Sequence, residues 1–366
     1  MTRGDGPFSE ARRKYMVPIF IVSNRGYSGK TFLALGLALA LKEQGYTVGY
    51  IKPVGKMPVK RGRDVFDADA VFIKEALALP DPLSTISPFV LTYEAQTLMF
   101  QGKIREAKKL VLSAFGSLRG RDFVIIGGGA DLFDGALLHI NALSLVEEMK
   151  AYALIIESWQ GEVSIESLFG VSRLLGERCS GGVINKVPTN AFAYVKDTVR
   201  PFVEKKGIKI FGIFQKDSLL ESLTVRQLNE ILHGKVLCCE DRLAEFVENF
   251  SIGAMDVDSA LKYFRRIRNK AVITGAHRSD IQLAALETST KCIILTGGLY
   301  TNDVVIGKAQ MKGIPIISVP DDTFTTVDRI EAVMGKARIA GMAKISRAKD
   351  LVQAGFDLKR FLKQVR

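Results

Sequence analysis

Residues 16–52 read MVPIFIVSNRGYSGKTFLALGLALALKEQGYTVGYIK, and the changes of texture inside them decide the fold. The apolar run Tyr15–Val22 is a buried strand, and it ends in a short loop of small residues. A helical pattern follows from Lys30 to Gln44 and closes at Gly45, where a helix C-cap belongs. Thr47–Lys52 is a second strand, so one βαβ unit is complete within these residues. The rhythm returns at Asp122–Ile126, Ala153–Ile156, Gly181–Asn185 and Ile208–Ile213. These strands are continuous apolar runs separated by helical segments. That pattern predicts a parallel sheet covered by helices on both faces, an α/β domain over residues 16–214.

Past Asp217 the elements become shorter. Helices are expected at Leu219–Leu232, Asp258–Arg268, Ser279–Thr288 and Asp303–Lys312. Strands are expected at Lys235–Cys239, Ala271–Thr274, Cys292–Thr296 and Pro315–Val319. This is a smaller α/β domain over residues 218–322. The remainder, 323–366, reads as basic helices packed around the outside of that second domain or reaching a partner.

The composition, 47 % hydrophobic and 25 % charged, excludes wholesale disorder. The longest apolar run, Phe32–Leu41, has ten residues, short of the roughly 18 that a membrane-spanning helix needs. The N-terminal segment is basic, but Met16–Val22 meets Ser23-Asn24-Arg25 with no small-residue cleavage site, which reads against a secretory leader. Four cysteines in so long a chain form neither a disulfide framework nor a metal-ligand spacing. The expectation is a cytoplasmic protein in a reducing compartment. Net charge is +12, and half of the excess lies in Phe324–Arg366, with ten Lys/Arg against four Asp/Glu. No aromatic interleaving or nucleic-acid motif accompanies it, so a solvated helical surface accounts for the charge and nucleic acid is not among the expected partners.

Between the first strand and the first helix stands Ser23-Asn24-Arg25-Gly26-Tyr27-Ser28-Gly29-Lys30-Thr31. Small residues there let backbone N–H groups wrap phosphates at a helix N-terminus. Lys30 would reach the β/γ phosphates and the Thr31 hydroxyl would hold Mg²⁺. The strict pattern has glycine where this chain has Asn24. The alternative is an ordinary tight turn with a chance lysine. The fold class is therefore a P-loop NTPase-like sheet followed by the smaller domain. Lys52, ending the second strand, lies on the edge where doubly wound sheets bind ligands, or is a surface lysine before a turn. Asp64, Asp67 and Asp69 follow; carboxylates near a phosphate loop serve Mg²⁺, while Asp67 or Asp69 could equally cap a helix. Trp159 stacks on a base or packs in the core. His139 and His233 read as satisfied polar residues, and Cys238-Cys239 on a strand should point to opposite faces.

In this order, GYSGKT, YIKPVGK, DADAVFIKEALAL, DFVIIGGGADLFDG and GGVINKVP resemble the dethiobiotin-synthetase-like P-loop domain. More closely they resemble its version at the N-terminus of long phosphotransacetylases and of stand-alone relatives. Ile273–Ile281 (ITGAHRSDI) and Ile294–Gly298 (ILTGG) are similar to the signature of the DRTGG domain that follows it there. The resemblance implies ATP and Mg²⁺ as cofactors. It implies a cofactor-binding set of Arg25, Gly26, Ser28, Gly29, Lys30, Thr31 and Asn185, with Asn185 reading adenine. Thr31 and Asp69 would hold the metal, and Lys30 and Lys52 would be the catalytic lysines. Arg25 stands where deviant P-loops place a lysine that reaches a dimer mate's nucleotide. In the second domain Gly275, His277, Arg278, Asp280, Thr296, Gly297 and Gly298 would face a further ligand, with the Gly297-Gly298 pair either an anion cradle or a turn.

Departures shape the expected function. The synthetase's metal-binding glutamate corresponds to Gly127, its serine-containing loop to Gly55-Lys56-Met57, and the Gly-Asp-Arg core of the DRTGG signature to Ala276-His277-Arg278. The chain stops at Arg366, before the acetyl-transfer region of those phosphotransacetylases. The expected function is an ATP-binding regulator resembling the detached N-terminal half of such an enzyme, without acetyl transfer of its own. It would form a homodimer or higher oligomer and report to a metabolic enzyme partner. The alternative is an ATP-dependent ligase or weak Mg²⁺-dependent ATPase acting on a small carboxylate or amine, which would need Asp64 or Asp67 to replace the acid missing at Gly127.

Overall fold

The computed structural model describes residues 16–334 and 341–366; the basic N-terminal segment 1–15 and part of the basic C-terminal stretch, 335–340, lie outside them. The chain forms two units. One combines the residues up to 216 with those of the C-terminal end, and the other is formed by the residues from 217 to 334.

The first unit contains β1 (Val17–Val22), β2 (Val48–Ile51), β3 (Pro58–Arg61), β4 (Asp64–Asp67), β5 (Phe123–Gly127), β6 (Tyr152–Ser158), β7 (Cys179–Val187) and β8 (Ile210–Gln215). Six of them make one sheet in the order β2-β5-β1-β6-β7-β8, with every neighbouring pair parallel. Ile19, Ile21, Phe123, Ile125, Leu154 and Ile155 have no exposure, as strands covered on both faces require. The β3–β4 hairpin, antiparallel and largely exposed, was not expected; its charged residues hide the strand pattern.

Helix α1 (Lys30–Glu43) starts where the sequence pattern placed it and is capped by Gln44, with Gly45 left-handed at φ 81. Leu33, Leu35, Leu37 and Leu41 are all fully buried, so α1 is covered nearly all round. The cover is the C-terminal helix Met342–Gly355, which packs directly on it. A Cβ at Gly36 would stand 2.8 Å from Val352 Cβ and 2.9 Å from the Ala348 carbonyl, so glycine sets this approach. The last helix, Leu358–Val365, seats Phe361 edge-on against Phe211 (5.1 Å) and Phe356 (5.4 Å). Phe356 itself bridges to Gly212 of β8, and Asp357 N donates to Phe211 O at 2.7 Å. This corrects the expectation that the C-terminal helices wrap the second domain. The apolar stripe Ala348, Val352, Phe356, Phe361, Val365 is narrow among lysines and arginines, and it belongs to the first unit.

The second unit contains β9 (Leu223–Thr224), β10 (Lys235–Cys238), β11 (Phe246–Val247), β12 (Asn249–Ile252), β13 (Lys270–Gly275), β14 (Thr290–Thr296) and β15 (Ile316–Ser318). Its sheet runs β10-β15-β14-β13-β12, parallel except for β10 on β15. The helix Thr323–Val333, capped by Asp322, also belongs here and buries Thr326 and Ile330. β10 ends at Cys238, and Cys239 turns away with φ 57, so the alternation expected of the pair does not reach Cys239. No helix among the described residues is long and apolar enough to cross a membrane.

Candidate functional site

β1 is where the order of the large sheet reverses, with β2 and β5 on one side and β6 to β8 on the other. A ligand crevice belongs outside the carboxyl ends of the strands at such a point. The loop 23–29 leaves β1 there and opens α1. Tyr27 (φ 58) and Gly29 (φ 105) are left-handed. A side chain at Gly29 would overlap the Asn185 amide and stand 3.3 Å from Ile156 Cδ1, so this place takes only glycine. Ser23 and Ser28 hydroxyls both donate to the Arg25 carbonyl, at 2.6 and 3.0 Å. The backbone N–H of Asn24 donates to buried Glu157 at 3.1 Å. The loop is therefore tied at both ends before any ligand arrives.

The Lys30 ammonium lies across this loop, donating to Ser23 Oγ at 2.6 Å and to the Arg25 and Ala130 carbonyls at 3.0 Å each. Burial lowers its pKa to about 8, helped by the charge of Lys52 and opposed by Glu157, Asp134 and Asp131. Beside it, Thr31 Oγ1 donates to Asp69 Oδ2 at 3.3 Å. Lys52 Nζ donates to the same oxygen at 2.8 Å and lies 3.0 Å from Asp67 Oδ1. Burial works against the charge on Lys52, but Asp69 and Asp67 outweigh it and raise its pKa.

The acidic cluster divides into two roles. Asp67 is fully buried and caps the helix α2 (Ala68–Leu77): its Oδ1 accepts from Asp69 N and Ala70 N at 2.9 and 3.2 Å. Its Oδ2 accepts from Lys56 N and Met57 N at 3.0 and 3.1 Å. Asp69, two residues on, faces Thr31. Asp64 stays exposed on the β3–β4 hairpin, and the structure does not bring it to the cluster. A hydroxyl and a carboxylate oxygen 3.3 Å apart at the head of α1 are the hard-oxygen pair that Mg²⁺ takes beside phosphate oxygens, so Thr31 and Asp69 fit the ion the loop pattern implies. Among the described residues no three His, Cys, Asp or Glu side chains gather to hold a metal by themselves. Gly127, at the end of β5, carries no acid. A Cβ there would overlap the Tyr50 hydroxyl and lie 3.1 Å from Tyr50 Cζ.

Asn185 reaches the loop from β7, its Nδ2 donating to the Ser28 carbonyl at 2.9 Å. Its own carbonyl accepts from Trp159 N at 2.8 Å. Trp159 is half-buried against the core and edge-on to Tyr194 at 6.4 Å, which favours the packing alternative over base stacking. Arg25 donates to Gln160. Lys56 pairs with Asp134, tying the loop after β2 to the loop after β5. Ser23, Tyr50, Glu157 and the Ala130 carbonyl were not among the expected site residues. Glu157, the acid closing the apolar run ALII, carried a readable signal; a backbone carbonyl carries none.

In the second unit Gly275 and Thr296 are register partners on β13 and β14, so the expected residues lie together at the carboxyl end of those strands. Arg278 donates to both oxygens of Asp280, at 3.0 and 2.9 Å, and to the Met255 carbonyl at 2.9 Å. Gly297 N and Gly298 N donate to the Asp321 and Val319 carbonyls at 2.8 Å each, which favours the turn over the anion cradle. Thr296 Oγ1 is 2.9 Å from Thr323 Oγ1, and His277 is exposed. The fully buried Gln282 amide donates to the Gly275 and Ala276 carbonyls at 3.0 and 3.1 Å, bracing the turn from below.

A family model described as an AAA domain matches residues 18–224, and one described as a DRTGG domain matches residues 227–333. The phosphate acetyltransferase of Synechocystis sp. is 23 % identical over 368 residues, covering 95 % of this chain and 52 % of that protein. An ATP-dependent dethiobiotin synthetase BioD of Caldicellulosiruptor bescii is 35 % identical over 75 residues, 20 % of this chain and 31 % of that one. A solved structure of the CBS and DRTGG domains of the regulatory region of Clostridium perfringens pyrophosphatase, complexed with the activator diadenosine tetraphosphate, is 25 % identical with a TM-score of 0.28, covering 32 % of this chain and 51 % of that one. The chain spans about half the length of the phosphate acetyltransferases it matches.

Proposed function

The chain belongs to the AAA domain family, with a DRTGG domain behind its P-loop domain, and from that premise we propose that it is an ATP-binding regulatory protein. It resembles the N-terminal half of a phosphate acetyltransferase and works by occupancy: the first unit binds nucleotide, and the second responds to a further ligand or mediates self-association. The observation that carries this reading is the balance of charge around the loop. Two lysines, Lys30 and Lys52, stand at the mouth, while only one carboxylate, Asp69, faces the Thr31 hydroxyl. That arrangement suits binding of a triphosphate with Mg²⁺. Among the described residues no second carboxylate is bonded to the Thr31 hydroxyl, and the acids near Lys30, namely Glu157, Asp134 and Asp131, act on the lysine's charge instead.

In this reading Lys30 and the N–H groups of residues 26–31 take the phosphates, and Thr31 and Asp69 take the metal. Asn185 lies on the adenine side and Arg25 at the outer rim. Adenine is preferred to guanine because Asn185-Lys186-Val187-Pro188 has Pro188 where the guanine-reading pattern has aspartate. The enzyme alternative needs Lys52 for a substrate, yet Asp67 and Asp69 both hold it. Self-association and a cytoplasmic metabolic-enzyme partner belong to the same proposal.

The test is calorimetric titration of Mg-ATP, ADP and GTP beside a phosphate-release assay, with light scattering for self-association. ATP binding with negligible turnover is expected. Steady hydrolysis would overturn the regulatory reading in favour of the enzyme. Lys30→Ala should abolish binding on an intact fold, a loss of about 100-fold or more, given what a charge-assisted bond to phosphate contributes. Undiminished binding in that variant would overturn the site.

A further inference from the structure

β5 runs through the apolar residues Phe123–Ile126 and ends at Gly127, in register with Ile21 of β1. In P-loop NTPases an aspartate of the Walker-B strand holds Mg²⁺ together with the loop's Ser or Thr hydroxyl. Here the strand end has no side chain, and the space beside it is taken. Tyr50 stands on β2 opposite Ile125, only 2 % exposed, and its phenol runs toward the carboxyl edge of the sheet. A Cβ at residue 127 would overlap its hydroxyl, lying 3.1 Å from Cζ and 3.4 Å from Cε2.

Resting on the nucleotide reading above, we propose that Tyr50 is a specificity-determining residue of the site. Its phenol holds the volume that a second metal-binding acid would need, so a divalent cation is gripped through Thr31 and Asp69 alone and bound nucleotide is held rather than consumed. Steric exclusion comes first: no acid can be placed at residue 127 while Tyr50 stands there. Charge is the second ground. An ordinary phenol is neutral at about pH 7, so Tyr50 brings an uncharged hydroxyl where an anion would serve. The third is competition, since the Lys52 ammonium is 2.8 Å from the Asp69 oxygen that faces Thr31. Cation affinity follows the number of charged oxygen ligands, and one carboxylate shared with an ammonium makes a weak site.

The experiment measures binding of Mn²⁺ alone to the nucleotide-free full chain by electron paramagnetic resonance. The wild type is compared with Gly127→Asp and with Tyr50→Ala/Gly127→Asp. The double variant should bind Mn²⁺ about tenfold tighter or better than the wild type, while Gly127→Asp, with Tyr50 still in place, should gain nothing. A folded double variant with wild-type affinity overturns the proposal. So does a Gly127→Asp single variant that gains as much Mn²⁺ affinity as the double variant, since Tyr50 would then not be what excludes the acid. A gentler pair covers the case in which the acid prevents folding: Gly127→Ala should lower the melting temperature, and adding Tyr50→Phe should recover most of the loss. Additive losses in that pair would mean that Tyr50 does not hold the volume, and would overturn the proposal as well. Because Mn²⁺ binding is read without nucleotide, failure of the nucleotide reading shows separately, as a wild-type chain that takes up no ATP in calorimetry.

Discussion

Lys30 joins the architecture of the loop to its response to pH. Its amine is held at a pKa of about 8, because burial and the neighbouring Lys52 disfavour the charge. A bound phosphate needs the ammonium and would raise that pKa in the complex. Between the two values binding takes up a proton, so nucleotide affinity should fall as pH rises above about 8, by at most tenfold per pH unit. Titration at pH 7, 8 and 9 checks this, and Lys30→Arg, charged throughout, should flatten the dependence. Asp67 is the second residue with a large expected effect. It answers four backbone N–H groups and one ammonium from a position with no exposure. Asp67→Ala strips all of these and should cost about 3 kcal/mol or more in chemical denaturation, since it leaves a buried cation partly unpaired. Lys30 and Thr31 are legible in the sequence alone, as the Gly-Lys-Thr pattern at the head of a helix. The division of labour between Asp67 and Asp69 is not, because two carboxylates two residues apart look alike until one of them caps a helix.

Among the elements, α1 and its loop carry the most. Its start, its stop at Gly45 and its apolar run were all legible. The glycine in its middle was not readable as a contact point. Alanine is worth about 1 kcal/mol over glycine in a helix interior. At Gly36 that gain is outweighed, because the new Cβ meets Val352 Cβ at 2.8 Å and the Ala348 carbonyl at 2.9 Å. Gly36→Ala should therefore destabilise by about 1–3 kcal/mol, the usual result of overpacking, as read from urea midpoints. Had the C-terminal helix not lain there, the same change would stabilise. β3, β4 and β12 escaped the sequence reading for a shared reason. They are short, and the residues they bury outright, Asp67 and Ser251, are polar, so no continuous apolar run marks them.

At the scale of the molecule, the chain leaves the first unit after residue 216, builds the second, and returns to finish the first. The returning segment covers α1 and bonds to β8, the last strand of its sheet, whose outer edge would otherwise be open to pairing. Phe361 is the anchor, fully buried against Phe211 and Phe356. Phe361→Ala should cost about 3–5 kcal/mol in the unfolding transition of the P-loop unit, although its partner Phe211 lies 150 residues away in sequence. No loss would mean that the C-terminal helices do not pack there. Arg366 stacks over Tyr46 at 4.5 Å, and Glu43 pairs with Lys349, so even the basic residues of this segment belong to the first unit.

What the sequence by itself determined is local: strand, loop and helix in order, the phosphate-loop residues, the class of both domains and their family. Each of these rests on periodicity or on a few adjacent residues, and so is written in a single stretch of chain. Tertiary structure alone decided what that cover is, which of two aspartates faces Thr31, and that Tyr50 fills the place beside Gly127. Those outcomes depend on residues brought together from positions 36 and 352, 31 and 69, or 50 and 127. Contacts between such distant positions are set by the packing of the whole sheet, and a one-dimensional pattern does not encode them position by position.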